Sequence, residues 1–199
     1  MSKFDQHNSA AGSHYFGLPV EEHCSIQREG MVDTLFISAK ALNIVWGNDR
    51  RYWKWTPLED QQGYSKFRIG AELLQVNWIQ VTGKLDTGKI TKFFHPSRDQ
   101  VPKTYEIFWV MKFNVDAFGW HNVPIKFKVA TDGSQPAQRI ENLGVYRKRN
   151  NIQWHEIRGG VFTVGHGSKS GNVYFGMFET ESVWWKGSMV LAGLKIKPK

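Results

Sequence analysis

Cysteine is almost missing from this sequence. Cys24 stands alone among 199 residues, so neither an internal disulfide framework nor a Cys-rich zinc site can be built. Long apolar runs are missing too. No stretch approaches the roughly 20 residues that a membrane-spanning helix needs, and Met1 to Tyr15 lacks the apolar core of a secretory signal. No Asn-x-Ser/Thr acceptor for N-glycosylation occurs. Together these absences predict a protein made and kept in the cytosol. Acidic residues are the scarcer charge: 26 Lys and Arg against 18 Asp and Glu leave a formal net charge of +8, with a pI near 9.6. That balance brings polyanions into consideration as partners.

What is abundant is aromatic surface. Aromatic residues make up 14% of the chain and include nine Trp, and hydrophobic residues as a whole reach 41%, too many for a disordered protein. The length fits one domain with a tail. Residues 1–32 are polar, rich in His, Ser and Gly, and without a sustained apolar period. They read as a loosely ordered N-terminal extension with a short turn around Pro19-Val20-Glu21-Glu22. From Asp33 to Lys199 the character changes to that of a folded domain.

That domain reads as all-β. Ile125-Lys126-Phe127-Lys128-Val129 alternates apolar and cationic residues, the period of a half-buried strand. Tyr105 to Phe113 begins by alternating and becomes apolar on both sides, as a central strand would. Further strands are predicted over Leu73–Leu85, Ile152–Val164, Val173–Phe178 and Met189–Ile196. Turn signals stand at Asp86-Thr87-Gly88, Thr131-Asp132-Gly133, Arg158-Gly159-Gly160 and from Gly165 to Gly171. The best helical window is Tyr64–Leu74. Many strands at short spacing with Gly-rich turns predict an antiparallel β-sandwich or jelly roll.

Catalytic motifs fail on inspection. Trp154-His155-Glu156-Ile157-Arg158-Gly159 starts like a zinc-protease helix but has Gly159 where the second His belongs. In Gly165-His166-Gly167-Ser168-Lys169-Ser170-Gly171, Ser168 replaces the glycine a phosphate loop places before its Lys, and Lys169 replaces the serine of a nucleophile elbow. The seven His and one Cys show no metal-ligand spacing. No enzymatic activity, metal or cofactor is expected. The basic groups Arg50-Arg51, Arg147-Lys148-Arg149 and Lys195-Ile196-Lys197-Pro198-Lys199 read first as solvated loops and a basic tail. RNA stands as the second reading.

The densest feature is Asn43 to Trp55, where four large aromatics surround a polar Gly47-Asn48-Asp49-Arg50 turn. An indole can cover the C–H face of a sugar ring while Asn, Asp or Arg hydrogen-bond its hydroxyls. Burial in the core is the commoner fate of a Trp. Trp55 fits that fate better. For Trp46 and Trp53, which flank the turn, composition leaves the two fates even.

The segment Ile37-Ser38-Ala39-Lys40-Ala41-Leu42-Asn43-Ile44-Val45-Trp46-Gly47-Asn48, followed by Arg51-Tyr52-Trp53-Lys54-Trp55, resembles the opening block of the phloem protein 2 lectins, the Nictaba-related family of plants. The likeness continues through Ala71 to Lys84, Thr104-Tyr105-Glu106-Ile107 and Gly193-Leu194-Lys195-Ile196-Lys197-Pro198. It implies a jelly-roll β-sandwich that binds, without catalysis, N-acetylglucosamine oligomers: chitooligosaccharides and the N-glycan cores of glycoproteins. It places the family's two binding tryptophans on Trp46 and Trp53 and a late acidic residue on Glu179. A second acidic position, seven residues earlier, falls on Asn172 and is lost. The resemblance also implies homodimers, residence in phloem sap and an association with RNA. The nuclear address of some relatives is matched only by the shorter Arg147-Lys148-Arg149.

The expected site is therefore Trp46 and Trp53 stacked on the sugar, with Asn48 and Glu179 taking hydrogen bonds. Asn48 is included for its place in the turn. Cys24 is expected as a free thiol in a reducing cytosol, with an intermolecular disulfide as the functional alternative.

Overall fold

The computed structural model describes residues 12–58, 68–94, 103–121, 123–147, 152–165 and 171–199. Twelve strands are found among them: β1 Cys24–Glu29, β2 Val32–Ser38, β3 Asn43–Ile44, β4 Trp53–Pro57, β5 Ile69–Val76, β6 Ile79–Asp86, β7 Lys103–Phe118, β8 Pro124–Thr131, β9 Ala137–Asn142, β10 Trp154–Val164, β11 Asn172–Glu179 and β12 Lys186–Pro198. One α-helix, α1, spans Thr87–Phe94. All strand pairings are antiparallel, and they make two sheets. The five-stranded sheet runs β3-β6-β11-β8-β9. The seven-stranded sheet is organised around β12. Its first half pairs with β5 and its second half with β2, while β7 follows it along the other side and β10 lies beyond β7. The inner faces bury one core that includes Trp109, Phe127, Phe175, Leu191 and Leu194.

β12 is buried along nearly its whole length. Its inward residues are Met189, Leu191, Leu194 and Ile196, a spacing that breaks strict alternation between 191 and 194. A bulge at that point restores the phase. Gly193 sits there with φ 146°, and a Cβ would lie 2.0 Å from the Ile37 carbonyl oxygen, so glycine is required. On the outer face Phe36, Val110 and Ala192 form a second cluster roofed by Leu58 and Trp154.

Several expectations change. Residues 12–32 are not a loose extension: β1 pairs with β2 from Cys24↔Ile37 to Glu29↔Val32, and Tyr15 bridges to Ile44. Leu73–Leu85 is not one strand but two. β5 and β6 belong to different sheets, and the chain crosses between them at Asn77-Trp78. The helix predicted over Tyr64–Leu74 is overturned where it is described, since Ile69–Val76 is strand. Asp86-Thr87-Gly88 starts α1 instead of a turn. Asp86 Oδ1 accepts from the backbone N–H of Gly88 at 2.7 Å and Lys89 at 3.2 Å, capping the helix, which buries Ile90 and Phe94. Arg158-Gly159-Gly160 is a bulge inside β10, not a turn. The loop predicted from Gly165 to Gly171 lies mostly outside the described residues, as do Lys148 and Arg149.

The C-terminal basic run is not a solvated tail. Lys195 is nearly buried and its ammonium reaches Glu29 on β1 at 2.7 Å and Glu156 on β10. Lys197 reaches the same two carboxylates at 3.1 and 3.0 Å. Two cations and two anions thus cross-brace β12 to strands two places away on either side. Burial works to push both glutamate pKa values up, but the hydrogen bonds and charges of Lys195 and Lys197 prevail and hold them below the ordinary value. The folded protein therefore binds fewer protons here than the unfolded chain. The stabilisation is complete above the ordinary carboxyl range of about 4.3 and is lost as the pH falls through the depressed folded values. Thermal melts across an acid series are expected to show a plateau and then a decline below about pH 5. The Glu29→Gln, Glu156→Gln double variant should start lower and show a shallower acid decline.

Candidate functional site

The ends of both sheets meet at one end of the sandwich. Val45–Tyr52 carries the chain there from β3 in one sheet to β4 in the other, and Asn77-Trp78 makes the crossing from β5 to β6. Residues 180–185 follow the end of β11 at the same level, because Glu179 pairs with Ile79 while Val45 donates to the Gln80 carbonyl.

The Val45–Tyr52 loop is built by short-range bonds. Gly47 N donates to Ile44 O at 3.0 Å, Asp49 N to Trp46 O at 2.9 Å, and both Tyr52 N and Trp53 N to Asp49 O at 3.0 Å. Trp46 is held at φ 62°, a left-handed conformation that is a true outlier for a bulky residue. Strain of this kind persists only where the surroundings over-determine it. Here the surroundings are the N-terminal segment. Trp46 N donates to His14 Nδ1 at 3.2 Å, and the His14 ring meets the indole edge-on at 5.3 Å. Asn48 Nδ2 donates to His14 O at 2.7 Å, while Tyr15 exchanges two backbone bonds with Ile44. Tyr52 stands 6.0 Å from Trp46 on another side.

The four predicted site residues separate. Trp46 is partly buried against the core with part of its ring in solvent, and Asn48 is exposed at the tip of the loop. Asn48 already uses its amide to hold His14. Trp53 is only 3% exposed and belongs to the main core, so the stacking role expected of it does not fit its position. Its Nε1 is buried with no hydrogen-bond partner among the described residues. Asp49 and Arg51 form a surface pair at 2.7 Å. Through it Arg51 holds the Asp49 carboxyl below its ordinary pKa.

Glu179 is 4% exposed and its acceptors are taken. Oε1 accepts from Glu181 N at 3.2 Å and Ser182 N at 2.9 Å. Oε2 accepts from Ser182 Oγ at 3.0 Å and from the Lys186 ammonium. Burial raises its pKa, yet Lys186 and Ser182 bring it below the ordinary range. Glu179 thus shapes residues 180–185 instead of meeting a ligand, which corrects its expected role. Lys186 is 0% exposed and also donates to Trp184 O at 2.8 Å and Asn77 O at 3.3 Å. Asn172 lies at the far end of β11 from Glu179. Seven residues of strand separate them by roughly 23 Å, so no pair of side chains at these positions could share one sugar.

Sequence reasoning missed His14, Lys186 and the pair Trp184-Trp185. The last carried a readable signal, since adjacent residues of a strand face opposite ways and two neighbouring indoles cannot both enter one core. Val183, Trp184 and Trp185 are 79%, 65% and 47% exposed. Cys24 is half-buried on an edge strand and packs against the core, with its thiol pKa raised by burial. It is therefore not in a flexible tail, and it has less of the thiolate that oxidation requires. It lines a cleft of about 410 Å³ that includes none of Trp46, Asn48, Trp53 or Glu179.

An all-β, two-sheet sandwich with a part-exposed indole held at its loop end is the class this geometry defines. The family model for phloem protein 2 matches residues 33–198, and the chain belongs to that family. Relatives from Arabidopsis thaliana include protein phloem protein 2-like A5, 29% identical over 169 residues, covering 84% of this chain and 38% of the relative. Protein phloem protein 2-like A1 is 28% identical, covering 81% and 60%. F-box protein PP2-B10 is 27% identical over 82% of this chain and 60% of its own length. The chain thus spans between about two fifths and three fifths of the length of these relatives. Among solved structures, TmCBM61 in complex with beta-1,4-galactotriose aligns with 79% of this chain and 87% of its own, at 9% identity and a TM-score of 0.39. A score that low carries no argument about ligand.

Two stability tests follow from this geometry. Glu179→Gln should cost about 3–5 kcal/mol in urea unfolding, because it strands the buried Lys186 charge, and adding Lys186→Met should recover much of the loss. Trp53→Ala should cost about 3–5 kcal/mol. Trp53→Phe should cost far less, because it removes an N–H that has no partner to lose.

Proposed function

We propose that this chain is a lectin that binds N-acetylglucosamine oligomers, as free chitooligosaccharides or as the N-glycan cores of glycoproteins, and does no chemistry on them. The observation that carries the reading is Trp46: a partly exposed indole fixed in a left-handed conformation by His14 and the Asn48 clip. A rigid platform loses little conformational entropy on binding, so stacking on the apolar face of a pyranose becomes favourable there. Tyr52 stands beside the ring, and the same loop carries Asn48, whose side-chain carbonyl is of the kind that accepts from a sugar hydroxyl. Trp53 backs this loop from within the core, and Glu179 holds the neighbouring one.

One exposed ring buries little area, so single-sugar affinity is modest and avidity comes from longer oligomers and from pairing two chains as a homodimer. Family membership supports residence in phloem sap. The electrostatic reading, with RNA as ligand, is the weaker one. Lys195 and Lys197 are engaged with Glu29 and Glu156, and Arg51 with Asp49.

Calorimetric titration with chitotriose at low and high salt tests the proposal. Saturable binding, insensitive to salt and weakened at least about tenfold by Trp46→Ala with folding intact, is expected. No heat from the wild type would overturn the lectin reading.

A further inference from the structure

A pair of exposed indoles, Trp184 and Trp185, stands at the same end of the sandwich as Trp46. Phe178 and Glu179 end β11 opposite Gln80 and Ile79, and Val45, the residue after β3, donates to the Gln80 carbonyl. β6 alone stands between them, so the two chain ends are separated by two strand spacings, about 10 Å. From Glu179 the chain turns into Thr180–Trp185, which exposes Val183, Trp184 and Trp185.

Such a short, apolar loop would collapse onto the surface if it were free to do so. It is instead held open from below. Glu179 takes the backbone N–H groups of Glu181 and Ser182 and the Ser182 hydroxyl, and buried Lys186 takes the Trp184 carbonyl. Gly119, at φ 77°, approaches so closely that a Cβ would lie 2.0 Å from the Trp185 carbonyl oxygen. Trp120 Nε1 donates to Gly187 O at 2.8 Å behind it. Every one of these contacts fixes the backbone, and none covers the Trp184 ring. Trp184 and Trp185 thus stand on fixed backbone at the same end of the sandwich as Trp46, with the polar residues Ser182, Asn77 and Asn48 on the three loops of that end.

We infer that Trp184 forms a second stacking subsite, with Trp185 beside it, so that the site accepts an extended β-linked N-acetylglucosamine chain running from Trp46 towards residues 180–185. This rests on the lectin reading above and adds the length of the ligand to it. The chain ends that carry the two platforms stand about 10 Å apart, more than one pyranose ring spans, so a disaccharide occupies Trp46 alone and only a longer oligomer engages both. Neutral sugar chemistry is favoured over an anionic partner because Lys186, which opens β12 after this loop, and Lys126 on β8 are paired with Glu179 and Glu181.

The measurement is the ratio of chitohexaose to chitobiose affinity by calorimetry, for wild type, Trp184→Ala, Trp184→Phe and Trp46→Ala, with sedimentation velocity run on each. The wild-type ratio should reach about tenfold, the gain of one further stacked ring. In Trp184→Ala it should collapse towards one, and in Trp184→Phe most of it should survive. Trp46→Ala should weaken both oligomers. A ratio that is the same in Trp184→Ala and wild type overturns the subsite while leaving the lectin reading intact. So does a shift from dimer to monomer in Trp184→Ala without a change in the ratio, which would make this face a contact between two copies. If the wild type binds neither oligomer, the primary site fails and this subsite falls with it.

Discussion

The end of the sandwich that carries the exposed indoles depends on one buried ion pair. Lys186 opens the central strand of the larger sheet, and Glu179 closes the central strand of the smaller one. Removing two such ions from water costs several kcal/mol each, and an apolar pair of similar volume would fill the space at less expense. What an apolar pair could not supply is direction. An ammonium has three N–H donors, and those of Lys186 go to the Glu179 carboxylate, the Trp184 carbonyl and the Asn77 carbonyl. These acceptors lie on the end of β11, the following loop and the crossing from β5 to β6. The pair therefore sets the positions of three chain segments from one atom. Glu179 does the same from its side by accepting four donors.

The first aromatic loop is held by a different device. Its backbone strain at Trp46 is retained by a segment that precedes the part of the chain matched by the family model. Ser13 O accepts from Asn48 N, His14 from Trp46 N, and Tyr15 pairs with Ile44. Tyr15 then stacks edge-on against Trp55 at 4.7 Å, while Lys40 lies 3.6 Å from the centre of the same indole. Rigidity in one loop comes from a buried charge pair and in the other from an added stretch of chain. Both leave an indole face to solvent.

The strand pattern was legible where one face is wet. Ile125 to Val129 alternates in the sequence and in burial, because β8 has a neighbour sheet on one side only. The reading failed where the information is not local. Gln75-Val76-Asn77-Trp78-Ile79 continues a strand-like pattern straight through the crossing, so two strands in two sheets looked like one. Lys195-Ile196-Lys197 looked solvated because the partner that neutralises it, Glu29, lies 166 residues away from Lys195. Residues 12–32 have too few apolar side chains to announce a strand, and β1 is held through its backbone pairing with β2 and its cross-braces. At the site, sequence and resemblance found the loop and both of its tryptophans, but not which of them faces water. That choice is made by the register of β4, where Trp53 pairs with Leu73 and turns inward.

The nine tryptophans show how one residue type is divided between two kinds of work. Trp109 and Trp120 are fully buried with Trp53 nearly so, and they fill volume between the sheets. Trp120 adds a hydrogen bond to Gly187 O directly behind the Trp184-Trp185 loop. Trp184 is 65% exposed, Trp46 keeps part of its ring in solvent while packing the rest against the core, and each sits on backbone held by bonds that do not involve its ring. Removing a core indole therefore removes stability and leaves a cavity, whereas removing the Trp184 ring, or the Trp46 ring with its smaller packing contacts, leaves the backbone bonds that support each loop in place. A ring left partly in solvent, mounted on backbone held by bonds that do not involve it, is available for contact with something outside the chain. That asymmetry between ring and backbone marks Trp46 and Trp184 more sharply than exposure does, because singly exposed apolar residues are ordinary on any protein surface.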